Sequence, residues 1–155
     1  MMLTSKGRYA VMAMVDLSIH GSEAPVRLAQ VAKRQDITVA YLEQIFAKLK
    51  AAGLVVSVRG PGGGYLLSMP ADEMPVADII LAVNEDIKMT RCNHQADKGC
   101  MSDKARCLTH DLWDGLSGQI YGYLRSTKLA DVRDRKIAKP PMFDDTYEQT
   151  VTCKN

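Results

Sequence analysis

With 155 residues, 46% of them hydrophobic and 25% charged, the chain is long enough for one ordinary domain or a small module with an attached second element. It has no apolar run near the roughly 20 residues that span a bilayer, and its opening MMLTSKGRYA lacks the apolar core of a signal peptide, so we expect a cytoplasmic protein without a membrane partner. Residues 1–70 carry eight Lys and Arg against four Asp and Glu, whereas residues 71–155 carry twelve against fourteen, and the basic half suggests a polyanionic partner.

The sequence pattern predicts two helices in the first part of the chain. Thr4 or Ser5 can cap a first helix, in which apolar residues recur at three- and four-residue spacing and which Gly21 ends. Pro25 can open a short second helix that stops near Asp36.

The third helix is the best-defined element of the sequence. Thr38 is a good N-cap, and Ile37 before it can pack against Leu42 as a hydrophobic staple. Gly53 supplies the expected left-handed C-cap, and Leu54 follows as its apolar contact. One apolar stripe along this helix is formed by Leu42, Ile45, Phe46 and Leu49.

A glycine-rich hairpin is predicted next. Two short β-rich runs, residues 54–58 and 65–67, flank the sequence RGPGGG. Taken alone, the third helix could be an ordinary surface helix and the glycines a simple turn. Three helices followed by such a hairpin within residues 1–70, however, have the layout of a winged helix-turn-helix DNA-binding domain.

The third helix and the hairpin carry side chains that could read double-stranded DNA. In the major groove Gln44 could pair with adenine, and Glu43 could accept a hydrogen bond from cytosine. Thr38 lies at the helix N-terminus, where backbone N–H groups favour a phosphate, and Arg59 of the wing could enter the minor groove. The candidate DNA contacts are Lys6, Tyr9, Thr38, Tyr41, Glu43, Gln44, Lys48, Arg59 and Gly60.

Further helices follow the hairpin. Pro75 can start a fourth helix, a long helix is predicted over residues 108–124, and Thr127 can cap a short sixth one. The apolar face of the long helix comprises Leu112, Leu116, Ile120 and Tyr123, with Trp113 beside it. The sequence therefore predicts a mainly α protein with a small β-hairpin wing.

We divide the chain into three parts. Residues 1–70 form the winged helix-turn-helix domain, and residues 71–137 form a linker helix, a Cys-rich loop and the long helix. Residues 138–155 are predicted to be a disordered tail, because Pro140 and Pro141 end the regular structure and polar residues follow.

Three cysteines, Cys92, Cys100 and Cys107, lie within sixteen residues. In a reducing compartment such a group is more typical of a metal site than of disulfides. Thiolates suit both zinc and iron–sulfur clusters, but zinc sites commonly contain closely paired cysteines, and this loop has none. The long, unequal spacers favour an iron–sulfur cluster, with unconnected surface thiols as the alternative.

An imidazole could complete this site. Cys107 and His110 lie three residues apart where the long helix begins, so they could share a face and converge on one cluster. His94 is the second candidate for the fourth ligand, and Cys153 is interpreted as a free thiol in the tail.

Four segments resemble the IscR family of iron–sulfur cluster regulators: LTSKGRYAV (3–11), YLEQIFAKLK (41–50), SVRGPGGGYLL (57–67) and CLTH (107–110). The resemblance runs in register from residue 2 to about residue 125, and the hairpin joined to a three-cysteine loop is its most specific part. It implies a homodimeric regulator whose long helix is a dimerisation helix, with a 2Fe–2S cluster held by Cys92, Cys100, Cys107 and His110. In that family the cluster-bound form represses the operon for cluster assembly, and the apo form keeps affinity for a second class of sites.

The chain departs from the family pattern in two places. The spacers between its cysteines are longer than is usual in IscR proteins and closer to those of iron-responsive relatives, which leaves the cluster type open. Ala40 stands where the family commonly offers a hydroxyl to DNA.

Glu43 matches an acidic residue that, in the family, opposes binding to one class of site. Arg8 occupies the place where some nitric-oxide-sensing relatives have an acidic ligand, which argues against that function.

The leading hypothesis is therefore a cluster-dependent transcription regulator that binds a pseudo-palindromic operator as a homodimer. A cluster carrier with a helical scaffold is a second hypothesis, against which the wing sequence argues. A zinc-stabilised DNA-binding protein without a sensing role is a third. No enzyme activity is expected, since the glycine run lies in a hairpin and not before a helix, and no nucleophile–base pair is evident.

Overall fold

The computed structural model describes residues 5–87 and 106–137. The predicted ligands Cys92 and Cys100, the alternative ligand His94 and the predicted tail lie outside the described residues.

Within these ranges the chain is mainly helical, with a single antiparallel strand pair. The elements are α1 (Ser5–His20), α2 (Leu28–Gln35), α3 (Val39–Ala51), β1 (Val55–Val58), β2 (Gly64–Leu67), α4 (Val76–Ala82), α5 (His110–Ser126) and α6 (Leu129–Arg133). The predicted fold class is confirmed. Of the helices in the described part, none is long and apolar enough to cross a membrane.

Helix α1 lies at the centre of the packing, against α2, α3, α4, α6 and the hairpin. Its buried Met14 and Leu17 share one hydrophobic core with the inner face of α3, including Phe46. The same core takes in Ile79 of α4 and Leu129 of α6. Elements on both sides of residue 70 are therefore packed together. The boundary at residue 70 between a DNA-binding part and a cluster-binding part stays a prediction.

Local sequence signals fix both ends of α3 as predicted. The Thr38 hydroxyl oxygen accepts a hydrogen bond from the Tyr41 N–H at 3.3 Å. At the other end Gly53 adopts a φ of 74°, and the Leu54 N–H bonds back to the Leu49 carbonyl at 2.9 Å. This left-handed termination directs the chain out of the helix and into β1.

The second helix begins later than predicted, at Leu28 and not at Pro25. The backbone of Val26 is paired with Tyr65 of β2, with N–H to carbonyl distances of 3.0 and 2.8 Å. Because those backbone groups are bonded to the hairpin, they cannot enter a helix. A Cβ at Gly64 would overlap the Val26 backbone, so this crossing requires glycine.

The C-terminal helices also differ from the prediction in detail. The long helix starts at His110 instead of Leu108. The prediction that Thr127 caps α6 is wrong, because its hydroxyl donates to the Tyr123 carbonyl of α5 at 2.8 Å. The N-cap of α6 is Lys128, whose backbone N–H donates to the Asp131 carboxylate at 2.8 Å.

Only part of the predicted apolar face of α5 packs against the rest of the described chain. Ile120 and Leu124 contact a small cluster formed by α4 and Ile87. Leu112 is 63% exposed and Tyr123 is 43% exposed. The chain therefore leaves large apolar side chains of α5, among them Leu112, facing solvent.

Candidate nucleic-acid interface and metal-ligand region

The outer surface of α3 presents the side chains predicted to read bases. Glu43 and Gln44 are exposed, and Thr38 is exposed at the N-terminal end, while the opposite face of the helix is buried in the core. Tyr41 and Lys48 are half-buried. The helix can thus be inserted into a groove without loss of core contacts.

Two of the candidate DNA contacts support one another across α1 and α3. The rings of Tyr9 and Tyr41 meet edge to face, with centroids 5.9 Å apart and planes at 88°. Both rings also pack against the core. This contact holds Tyr41 in place beside the base-reading positions.

Two neighbouring lysines, one on α1 and one on α3, concentrate positive charge beside the recognition helix. Lys6 of α1 neighbours Lys48 of α3, and this like-charged neighbour lowers the pKa of Lys48 from its ordinary value. Adjacent ammonium groups repel unless an anion lies between them. The pair is therefore suited to a DNA phosphate beside α3.

The wing is joined to both helices of the helix-turn-helix. Lys50 in the last turn of α3 donates a hydrogen bond to the Ser57 hydroxyl of β1 at 2.6 Å. Arg27, at the N-terminus of α2, donates to the Pro61 carbonyl at 2.7 Å. Sequence reasoning missed Lys50 and Arg27, since neither spacing nor composition reveals a contact between segments distant in the chain.

The wing tip presents the predicted minor-groove residues. Arg59 and Gly60 are exposed, and Gly60 adopts a φ of 108°, which side chains rarely tolerate. The structure therefore brings together helix and wing candidates on elements that are mutually bonded.

The predicted metal-ligand region is described only at its C-terminal end. Cys107 is half-buried and free of any disulfide, and its Sγ lies 3.7 Å from the Thr109 hydroxyl. His110 opens α5, is 5% exposed, and donates its backbone N–H to the Cys107 carbonyl at 3.0 Å. This hydrogen bond closes a turn immediately before α5, and the predicted convergence of the two side chains on one cluster stays a prediction.

The donor types at this turn fit an iron–sulfur cluster. A thiolate and an imidazole are both known donors to such clusters, and the positive end of the α5 dipole favours anionic thiolates. In residues 5–87 and 106–137 no three potential metal-binding side chains come together, because the other predicted cysteines lie between these ranges.

Comparison with known proteins identifies the family. The sequence profile described as Rrf2, iron-dependent transcriptional regulator, matches residues 3–135. The chain belongs to the Rrf2 family. Among its relatives, the transcriptional regulator IscR of Photorhabdus laumondii is 53% identical over 132 residues, which cover 85% of this chain and 79% of that protein. IscR of Serratia proteamaculans is 52% identical over 132 residues, which again cover 85% of this chain and 79% of that protein.

Solved structures agree with this assignment. T. potens IscR superposes with a TM-score of 0.71 and 32% identity, covering 96% of each chain. CymR, the global cysteine regulator of B. subtilis, gives a TM-score of 0.71 at 29% identity, covering 87% of this chain and 98% of its own. The Rrf2-family chain is a DNA-binding transcription regulator and not an enzyme, as predicted, and the resemblance to IscR is confirmed.

Proposed function

We propose that this Rrf2-family regulator binds a pseudo-palindromic operator as a homodimer and represses cluster-assembly genes according to the state of a 2Fe–2S cluster. The observation that carries the proposal is the composition of α5. The candidate ligands are His110, its first residue, and Cys107 in the turn just before it, and its later turns expose an apolar face. Ligand binding and dimer geometry would then depend on the same helix.

DNA recognition is assigned to α3 and the wing. Gln44 and Glu43 read base edges in the major groove, and the carboxylate of Glu43 favours a cytosine amino group while opposing guanine. Lys6 and Lys48 bind a phosphate beside the helix. Arg59 enters the adjacent minor groove.

The exposed face of α5 supports a homodimer built on this helix. Leu112 and Tyr123 are exposed there, although large apolar side chains are usually buried. Three glycines, Gly115, Gly118 and Gly122, lie in the same helix, and a Cβ at each would meet nothing within 4 Å in the protomer.

A glycine in a helix interior costs about 1 kcal/mol relative to alanine. The spacing of the three glycines puts them on one side of α5, where they would let a second α5 approach closely. The protomer alone gives these residues no packing role.

The cluster ligands are proposed to be Cys92, Cys100, Cys107 and His110, with His94 as the alternative to His110. Such a cluster would supply a group that responds to iron supply and oxidation. Because His110 is buried at the start of α5, we propose that its engagement fixes the first turn of this helix and thereby the dimer that presents two α3 helices to DNA.

Operator binding tests the proposal directly. Fluorescence anisotropy with a labelled pseudo-palindromic duplex should show tight binding by the anaerobically purified wild-type protein. Cys107→Ala should weaken binding at least tenfold at the cluster-dependent site class, whereas Cys153→Ala should leave it unchanged. Equal binding by both variants and the wild type would remove the cluster from the regulatory mechanism.

A further inference from the structure

The segment between α1 and α2 belongs structurally to the wing. Val26 forms two backbone hydrogen bonds with Tyr65 of β2, so the entry to α2 lies alongside the hairpin. Arg27 follows immediately, and its backbone N–H donates to the Gln30 side chain at 3.1 Å, which fixes the first turn of α2. The side chain of Arg27 therefore starts from a backbone that is held on both sides.

From this position Arg27 reaches the tip of the wing. Its Nη2 donates a hydrogen bond to the Pro61 carbonyl at 2.7 Å, across 34 positions of sequence. In the described part of the chain this is the one side-chain hydrogen bond made to residues 59–63. The tip otherwise has a single backbone bond, from the Gly63 N–H to the Gly60 carbonyl at 2.9 Å.

The wing tip loses much conformational entropy when it binds DNA. It is rich in glycine, whose backbone explores more conformations than that of any other residue. Ordering such a loop against DNA reduces affinity unless the loop is already held in the bound conformation. A bond to Pro61, two residues from Arg59, restricts the part of the tip that contacts the minor groove.

We propose that Arg27 is a positioning residue that holds the wing in its DNA-binding conformation and couples it to α2. The inference rests on the proposed contact of the wing with DNA. Arg27 acts through the Pro61 carbonyl and not as a reader of bases. Arg27 therefore changes how much Arg59 contributes to operator affinity. This change should not depend on the base sequence that α3 reads in the major groove.

A direct phosphate contact by Arg27 is the competing interpretation, and salt dependence separates the two. Loss of one phosphate contact lowers the slope of log affinity against log salt by about one. Loss of a positioning contact weakens binding and leaves this slope unchanged.

The experiment measures operator affinity of the full-length protein from 50 to 300 mM salt, about the range in which phosphate contacts are resolved. The variants are Arg27→Ala, Arg59→Ala and their combination. Lys33→Ala is the matched control, since it removes an exposed positive charge from the same helix. We expect Arg27→Ala to weaken binding about three- to tenfold with an unchanged slope, and to add little when Arg59 is already alanine.

Amide exchange at Gly62 and Gly63 provides a readout without DNA. Exchange should accelerate in Arg27→Ala and remain at the wild-type rate in Lys33→Ala, with thermal stability unchanged in both. A slope reduced by about one, or effects of Arg27→Ala and Arg59→Ala that simply add, would overturn the inference. If Arg59→Ala itself binds like the wild type, the proposed wing contact fails, and that outcome is distinct from the failure of Arg27 alone.

Discussion

Arg34 of α2 donates hydrogen bonds to both oxygens of the buried Asp16 carboxylate in α1, from Nη2 to Oδ1 at 2.6 Å and from Nε to Oδ2 at 2.9 Å and Oδ1 at 3.2 Å. Gln35 donates a further one to Oδ2 at 2.8 Å, and Asp16 is 2% exposed. This contact joins the first two helices and so sets the position of α2 relative to the core. A buried carboxylate without such partners would be strongly destabilising.

Removal of Arg34 should therefore cost more than removal of an ordinary surface charge. We expect Arg34→Ala to lower the free energy of unfolding by about 3 kcal/mol, the low end for a broken buried pair, because Arg34 itself is partly exposed. Lys33→Ala, its exposed neighbour, should change it by less than about 0.5 kcal/mol. Urea unfolding monitored by circular dichroism compares the two, and equal losses would contradict the role of this ion pair.

The same pair predicts acid sensitivity. Burial alone would raise the pKa of Asp16, but the hydrogen bonds from Arg34 and Gln35 outweigh it and hold the pKa below its ordinary value. Because the folded-state pKa is the lower one, the stabilisation is present above the unfolded-state pKa of about 4 and is lost as pH falls through the folded-state pKa. Wild-type stability should decline below about pH 4, and Asp16→Asn, less stable at neutral pH, should show a shallower decline. An identical pH profile for both proteins would contradict this assignment.

Thr38 caps the recognition helix, and its loss should be measurable separately from DNA binding. Thr38→Ala removes the acceptor for the Tyr41 N–H and should lower the free energy of unfolding by about 1 kcal/mol. Thr38→Ser retains the hydroxyl and should stay within about 0.5 kcal/mol of the wild type. Thermal unfolding distinguishes them, and an alanine variant as stable as the serine variant would show that the cap contributes little.

Local signals of this kind explain what could be predicted from the sequence. Thr38 and Gly53 bond to residues three or four positions away, so the ends of α3 were evident from composition alone. The Cys107–His110 turn is local in the same sense. By contrast, Pro25 was predicted to open α2, but the helix begins at Leu28 because Val26 pairs with Tyr65, a contact that forms only in the folded chain.

The contacts that organise the site are non-local, and the sequence did not reveal them. Lys6 meets Lys48, and Arg27 meets Pro61, only because α1, α2 and α3 pack around a common core. Thr127 is a residue type that often caps helices, but its hydroxyl donates a hydrogen bond to the Tyr123 carbonyl in the last turn of α5. At such a position two nearby groups compete for the hydroxyl, and the residue type alone does not predict which of them it will bond.

Glu43 should restrict the choice of operator. Replacement by alanine removes an exposed carboxylate that is unfavourable beside guanine and adenine acceptors. We expect Glu43→Ala to bind sites lacking the matching cytosine about tenfold more tightly than the wild type, consistent with roughly 1–3 kcal/mol per base contact. Glu23→Ala, in the α1–α2 linker, is the control for loss of one negative charge. Unchanged site preference in Glu43→Ala would exclude this carboxylate from base reading.

The glycines of α5 test the proposed dimer. Gly118→Ala should favour the isolated helix by about 1 kcal/mol, but the added methyl groups would meet at a close helix crossing. We therefore expect the variant to dissociate at concentrations where the wild type stays dimeric, as measured by sedimentation equilibrium. A Gly118→Ala variant that is both more stable and fully dimeric would place the interface elsewhere.

The visible absorption spectrum of the protein purified without oxygen, with iron and sulfide determined on the same sample, tests the central claim most directly. The account predicts a brown protein with equal iron and acid-labile sulfide, a colour lost in Cys107→Ala and retained in Cys153→Ala. A colourless wild-type protein that contains zinc and still binds operator DNA would contradict it, because the winged helix would remain but the sensing cluster would not exist.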